Sequence, residues 1–178
     1  MGDYEGSEAA AVDAARRWLE GMSNKNPVAS ASLWAGGHFD IVCHSGLRIL
    51  HLHGGRAVCR FRVPAHLTPE RLQDADMNWQ PGAIAAVIDN VGAAAIMTTE
   101  GIIKISVEFD ISYFSAAKVD EEVEIDARIV QHKGKKLTAV IVEVRKKEGG
   151  HLVAVGRQWM SAARPAGAGL IPGHSSRL

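Results

Sequence analysis

Hydrophobic and polar positions repeat in two different ways along this chain, and each repeat marks a different kind of element. Residues 81–97, from Pro81 to Met97, are apolar nearly all round, with Asp89 and Asn90 as the polar interruptions. Pro81 has the fixed φ of a first helical turn, and alanine, the best helix former, supplies six of the sixteen remaining positions. The segment therefore predicts a helix. A helix apolar on every side is either wrapped by protein or set in a membrane, and one this short with an Asp and an Asn inside is a poor span. The expectation is a central helix enclosed by the rest of the molecule.

Around it the period changes to two. Leu47–His53 and Ala57–Val63 predict two strands joined by a tight turn at Gly54-Gly55, the second stopped by Pro64. After a turn at 98–101, Ile103, Ile105, Val107, Phe109, Ile111 and Tyr113 alternate with Lys104, Ser106, Glu108, Asp110 and Ser112, which predicts one long strand. Three more β segments follow: 119–132, with Val123, Ile125, Ala127 and Ile129 on one face; 136–147, after a turn at Lys133-Gly134-Lys135; and 151–161, after Gly149-Gly150. The layout is α+β, an antiparallel sheet wrapped on one helix. A helix that apolar also invites pairing between copies, so a homo-oligomer is expected, dimer or tetramer.

The flanks are less regular. Residues 1–44 read as an N-terminal extension and 45–161 as the domain. Residues 1–7 look unstructured, and Ser7–Glu20 predicts a short helix capped by Ser7 and stopped by Gly21. Residues 28–42 have no clear period. Residues 162–178, rich in Ala, Pro, Gly and Ser, read as a tail.

Composition narrows the function. The 178 residues carry a formal net charge of zero, so no basic footprint for nucleic acid is present. Cys43 and Cys59 have neither metal nor disulfide spacing and read as core thiols. The eight histidines form no metal-binding pair on a helix; His51 and His53 read as lying on a strand's wetter face. No basic segment followed by an apolar one opens the chain, so secretion is not expected. No cofactor or metal is implied.

The chemistry converges on Asp89. Its neighbours three and four positions away are Ala85, Ala86, Gly92 and Ala93, whose small side chains leave a hollow beside the carboxylate. Two readings follow: an Asp paired to a donor or turned to solvent, or a poised base or nucleophile.

The segment Ile105-Ser106-Val107-Glu108-Phe109-Asp110-Ile111-Ser112-Tyr113, then Ser115-Ala116-Ala117-Lys118, together with Val87-Ile88-Asp89-Asn90, closely resembles the hotdog-fold thioesterases, and among them the acyl-CoA thioesterase 13 group. The likeness covers roughly residues 45–160. It implies a hotdog fold and hydrolysis of acyl-CoA thioesters without a cofactor. In that group the helix opens with His-Gly-Gly and carries an acid nine residues after the histidine. Here Asp89 matches the acid, the nucleophile or general base, and Ser106 the residue that positions water, across the interface between protomers. The helix opens instead with Gln80-Pro81-Gly82. A family asparagine six residues before the histidine falls on Asp74, or on Asn78 if the loop is shifted.

The resemblance places the thioester carbonyl at the start of the helix. Pro81 has no N–H to offer its oxygen, so Gly82, Gln80 or Asn78 would supply the donor. A non-catalytic acyl-CoA binder is the alternative, and a hydratase is disfavoured because no histidine lies near the helix start in sequence. Candidates for the CoA phosphates are Lys133, Lys135, Lys136, Arg145, Lys146, Lys147 and Arg157, each also readable as a solvated hairpin charge. The final Ser176-Arg177-Leu178 resembles a peroxisomal address, which predicts a peroxisomal import receptor as partner and the peroxisomal matrix, or else the cytoplasm, as location.

Overall fold

The computed structural model describes residues 2–24, 38–68, 77–133 and 136–162. In chain order these form helices α1 (Gly2–Ser23) and α2 (His38–His44), strands β1 (Arg48–His53) and β2 (Arg56–Arg62), a single 3-10 turn (Ala65–Leu67), helix α3 (Pro81–Glu100), and strands β3 (Lys104–Tyr113), β4 (Glu122–Lys133), β5 (Leu137–Lys146) and β6 (Leu152–Ala162). The strands make one antiparallel sheet in the order β1-β2-β4-β5-β6-β3.

The sheet curves around α3. Val87, Ile88, Val91, Ala94, Ala95 and Ile96 of that helix are fully buried. Each large aliphatic side chain among them contributes about 1.5–3 kcal/mol by leaving water. The inward row of β4 is Val123, Ile125 and Ala127, with Ile129 packed at its edge, and that of β5 includes Val140, Val142 and Val144. Gly156 lets β6 approach α3, since a Cβ there would strike Ile88. Helix α3 is long and apolar enough to cross a membrane, yet two-thirds of its most apolar window is buried within the protein.

Several boundaries differ from expectation. Helix α1 begins at Gly2, not Ser7, and runs through Gly21 to Ser23, whose hydroxyl donates to the Leu19 carbonyl. Its buried stripe of Ala11, Ala15 and Leu19 docks the extension on the core, and that packing outweighs the helix-stopping tendency of Gly21. Helix α3 continues past Met97 through the expected turn. It ends at Gly101, whose left-handed φ of 68° closes the last turn with an N–H bond to the Met97 carbonyl. Ala162 belongs to β6 rather than to the tail. The irregular stretch 28–42 ends in α2, which packs on α3.

Strand β3 alternates as predicted, but in its first half the polar row faces the helix. Lys104 is buried and Ser106 half-buried, whereas Ile105 and Val107 are exposed. A bulge follows between Ser106 and Glu108. β3 is the last strand of the sheet, and among the described residues nothing covers its outer face. Asp74, Gly134, Lys135 and the Ser176-Arg177-Leu178 tripeptide lie outside the described residues.

Candidate active site

Asp89 sits two turns into α3, where the helix crosses beneath β3 and β6. Its carboxylate is half-buried and oriented by two neutral donors. The Ser106 hydroxyl donates to Oδ1 at 2.5 Å, and the Gln158 amide Nε2 donates to the same oxygen at 2.6 Å. Nε2 also donates to the Ser106 Oγ at 3.1 Å, closing a triangle. The pairing of β6 with β3 sets Met160 beside Ser106, and Gln158 reaches the triangle from the same inward row.

Ser106 thus meets Asp89 within one chain, by direct hydrogen bond. Gln158 has no place in the sequence-level reading. Its signal was nonetheless present: Ala154, Gly156, Gln158 and Met160 form one alternating row of β6, and a lone amide in a row of buried small and apolar residues is out of pattern.

A third polar group approaches from α2. His44 is fully buried, and its Nδ1 donates 2.7 Å to the Asp40 carbonyl of its own helix, while Nε2 makes no well-formed hydrogen bond among the described residues. Burial lowers its pKa, outweighing the opposing pull of the Asp40 and Asp89 charges and of the Asp40 and Ala86 carbonyls. The ring is therefore neutral near pH 7. Asn90 donates to Asp40 Oδ1 at 3.1 Å, so α2 is fastened to α3 beside the carboxylate.

The start of α3 lies on the same face as Asp89. Seven residues separate Gly82 from Asp89, which is nearly two full turns and about 10 Å along the axis. Gln80 is extended, as a residue before proline must be, and its side chain makes no capping bond. Gly82 is exposed, and its N–H belongs to the unsatisfied first turn at the positive end of the helix dipole. The Tyr113 hydroxyl donates to the Pro81 carbonyl at 2.9 Å and ties this end of α3 to β3. Asn78 lies in the strand-like bridge to Lys118 just before the helix.

The cations proposed for CoA phosphates are mostly engaged. Arg145 meets Glu143 at 2.9 Å, Lys146 meets Glu121 at 2.9 Å, Lys147 meets Glu122 at 2.6 Å and Arg157 meets Asp110 at 3.2 Å. An open groove of about 840 Å³ runs past Arg62, Glu121, Glu122, Lys146 and Lys147 but does not include Asp89, Ser106 or Gln158. Among the described residues no cluster of His, Cys, Asp and Glu could hold a metal. Cys43 and Cys59 are buried, and burial lifts their thiols to about 11 and about 12, so neither is a nucleophile.

Comparison with known proteins matches this geometry to a family. The family model for the thioesterase superfamily fits residues 81–153. Human acyl-coenzyme A thioesterase 13 is 32% identical over 104 residues, 58% of this chain and 70% of that protein. The mouse protein of the same name is 39% identical over 77 residues, 43% of this chain and 54% of that protein. Zebrafish thioesterase superfamily member 2 superposes with a TM-score of 0.68 at 24% identity, covering 85% of this chain and 98% of that one. The E. coli PaaI protein superposes with a TM-score of 0.58 at 16% identity, covering 90% and 99%. The superpositions establish the hotdog fold, and the sequence relationship to the human protein carries the rest: this chain belongs to the thioesterase superfamily, among the relatives of acyl-coenzyme A thioesterase 13.

Proposed function

We propose that the protein hydrolyses acyl-CoA thioesters to the free acid and coenzyme A, with Asp89 as the reacting carboxylate. The reaction class, thioester hydrolysis, is that of its superfamily. The observation that carries the assignment is the half-buried Asp89 held by Ser106 and Gln158, two neutral donors that orient the carboxylate without cancelling its charge. Asp89 takes a proton from water as the water oxygen bonds to the thioester carbon. The C–S bond then breaks, and the departing CoA thiolate takes up a proton. Direct attack by Asp89, giving an anhydride that water cleaves, reaches the same products.

The carbonyl oxygen needs a donor, and the Gly82 amide is the candidate, with the Gln80 side chain beside it. A single thioester cannot touch Asp89 and the Gly82 of the same helix across about 10 Å. The site is therefore read as shared between two copies, each helix start serving the other copy's carboxylate. The exposed Ile105, Val107 and Tyr113 on the edge strand β3 support such an interface. The Streptococcus pneumoniae hotdog protein solved with coenzyme A shows the fold accommodating that ligand.

Release of free thiol from medium-chain, long-chain and aromatic acyl-CoAs tests the proposal, and turnover above background on at least one is expected. No turnover on any would refute it. Pro81 favours a second reading, an acyl-CoA binder that does not hydrolyse, because it removes an N–H from the helix start. Calorimetric binding without thiol release is its signature. For location, the peroxisomal matrix is proposed on Ser176-Arg177-Leu178 alone. A fluorescent protein carrying this tail should enter peroxisomes and stay outside them when the tripeptide is removed.

A further inference from the structure

Gln158 is 2% exposed, and its two amide ends have opposite surroundings. Nε2 donates toward both Asp89 Oδ1 and the Ser106 Oγ, which lie side by side. Oε1 has no hydrogen-bond partner among the described residues and faces the backbone of Gly92. Turning the amide over would aim an oxygen at a carboxylate, so the orphaned carbonyl is the cost of donating to Asp89.

Gly92 is what makes the seat. It lies mid-helix, where glycine is less favourable than alanine by about 1 kcal/mol. A Cβ at 92 would stand 2.5 Å from the Gln158 Oε1, 3.2 Å from Val140 and 3.3 Å from Val142. The helix thus carries its one glycine after Gly82 where this side chain lies across it. An unsatisfied buried oxygen and a helix-weakening glycine serve the same arrangement, which argues for a role beyond packing.

Rather than a filler of the core, we propose that Gln158 is a positioning residue, which locks Oδ1 of Asp89 and the Ser106 hydroxyl together and so presents Oδ2 as the reacting oxygen. Oδ1 already accepts two hydrogen bonds, whereas Oδ2 has no partner among the described residues. The Ser106 proton is spent on Asp89, so Ser106 meets an incoming water as an acceptor, through its remaining lone pair. Because the amide does not titrate, the lock holds at every pH at which Asp89 is ionised.

This role rests on the thioesterase reading, and two measurements separate the two claims. In the first, kcat and KM for thiol release are compared for wild type and Gln158→Met, which keeps the length and loses both donors. Loss of a hydrogen bond to a charged group predicts a fall in kcat of about ten- to a hundredfold with KM nearly unchanged. A folded Gln158→Met enzyme with wild-type kcat, or one whose KM alone moves, overturns the proposal. The second measurement does not need turnover: a double-mutant cycle in urea unfolding with Asp89→Asn and Gln158→Met. Coupled losses are expected, and additive losses overturn the lock even if the enzyme hydrolyses nothing. A wild type without turnover but with coupled losses sinks the thioesterase reading and leaves the lock standing.

Discussion

Helix α3 carries two carboxylates that reach toward β3, and their surroundings are opposite. Glu100, in the last turn, meets the buried Lys104 ammonium at 2.7 Å and accepts from Thr138 at 2.6 Å, while Lys104 also donates to Thr138 at 2.8 Å. Asp89, three turns earlier, accepts among the described residues from the Ser106 hydroxyl and the Gln158 amide alone, and the buried His44 nearby stays neutral. A carboxylate whose charge is matched by a buried ammonium fastens the end of a helix to the start of a strand. One oriented by neutral donors keeps its charge available to a reacting water. The same helix and the same strand thus build a structural carboxylate and a chemical one, and the nature of the donor separates them.

Breaking the structural pair should have the largest effect on stability. Glu100→Ala strands the buried Lys104 ammonium and is expected to cost about 3 kcal/mol in urea unfolding. Thiol-release kcat should be unchanged in whatever fraction stays folded. Weakening the chemical site should do the reverse. Ser106→Ala removes one donor from Asp89 and should lower kcat about tenfold with little change in the unfolding midpoint.

A smaller effect belongs to the helix start. Pro81→Gly restores an N–H there and should raise kcat roughly threefold with KM steady, since the Gly82 amide already offers one donor. Adding Gln80→His should raise it further. An unchanged kcat would show that Gly82 suffices alone.

The smallest expected effect is on pH dependence. Burial holds the folded-state pKa of His44 below its ordinary 6.5, so the unfolded chain binds the extra proton first. Stability contributed by the neutral ring is complete above that value and is lost as pH falls below it. The unfolding midpoint should therefore drop on acidification below about pH 6.5, and His44→Gln should flatten that part of the curve.

Elements with a strong period were legible in the chain itself. The all-apolar run from Pro81 and the alternation in β2 through β6 are local patterns, and the structure moves their boundaries by only a few residues. Which row of β3 turns inward was not legible. It depends on that strand lying at the sheet edge, where Ile105 and Val107 are exposed among the described residues and Ser106 finds Asp89. Helix α1 extended beyond its apparent cap because contact with the core outweighs a single glycine. Asp89 could be singled out from its small neighbours, but Ser106 came from family likeness. Gln158 lies 69 residues from Asp89 in sequence and joins it only through the pairing of β6 with β3. His44 emerged only once α2 was seen to pack on α3.

The most direct test sets the two carboxylates side by side. Thiol release would be measured for Asp89→Asn and Glu100→Gln on the acyl-CoA that wild type turns over fastest, after each variant is shown to be folded. Asp89→Asn should lose about a thousandfold or more in kcat, as expected when a reacting group is removed, while Glu100→Gln retains wild-type kcat. Wild-type turnover by Asp89→Asn, or equal losses in both variants, would contradict that assignment.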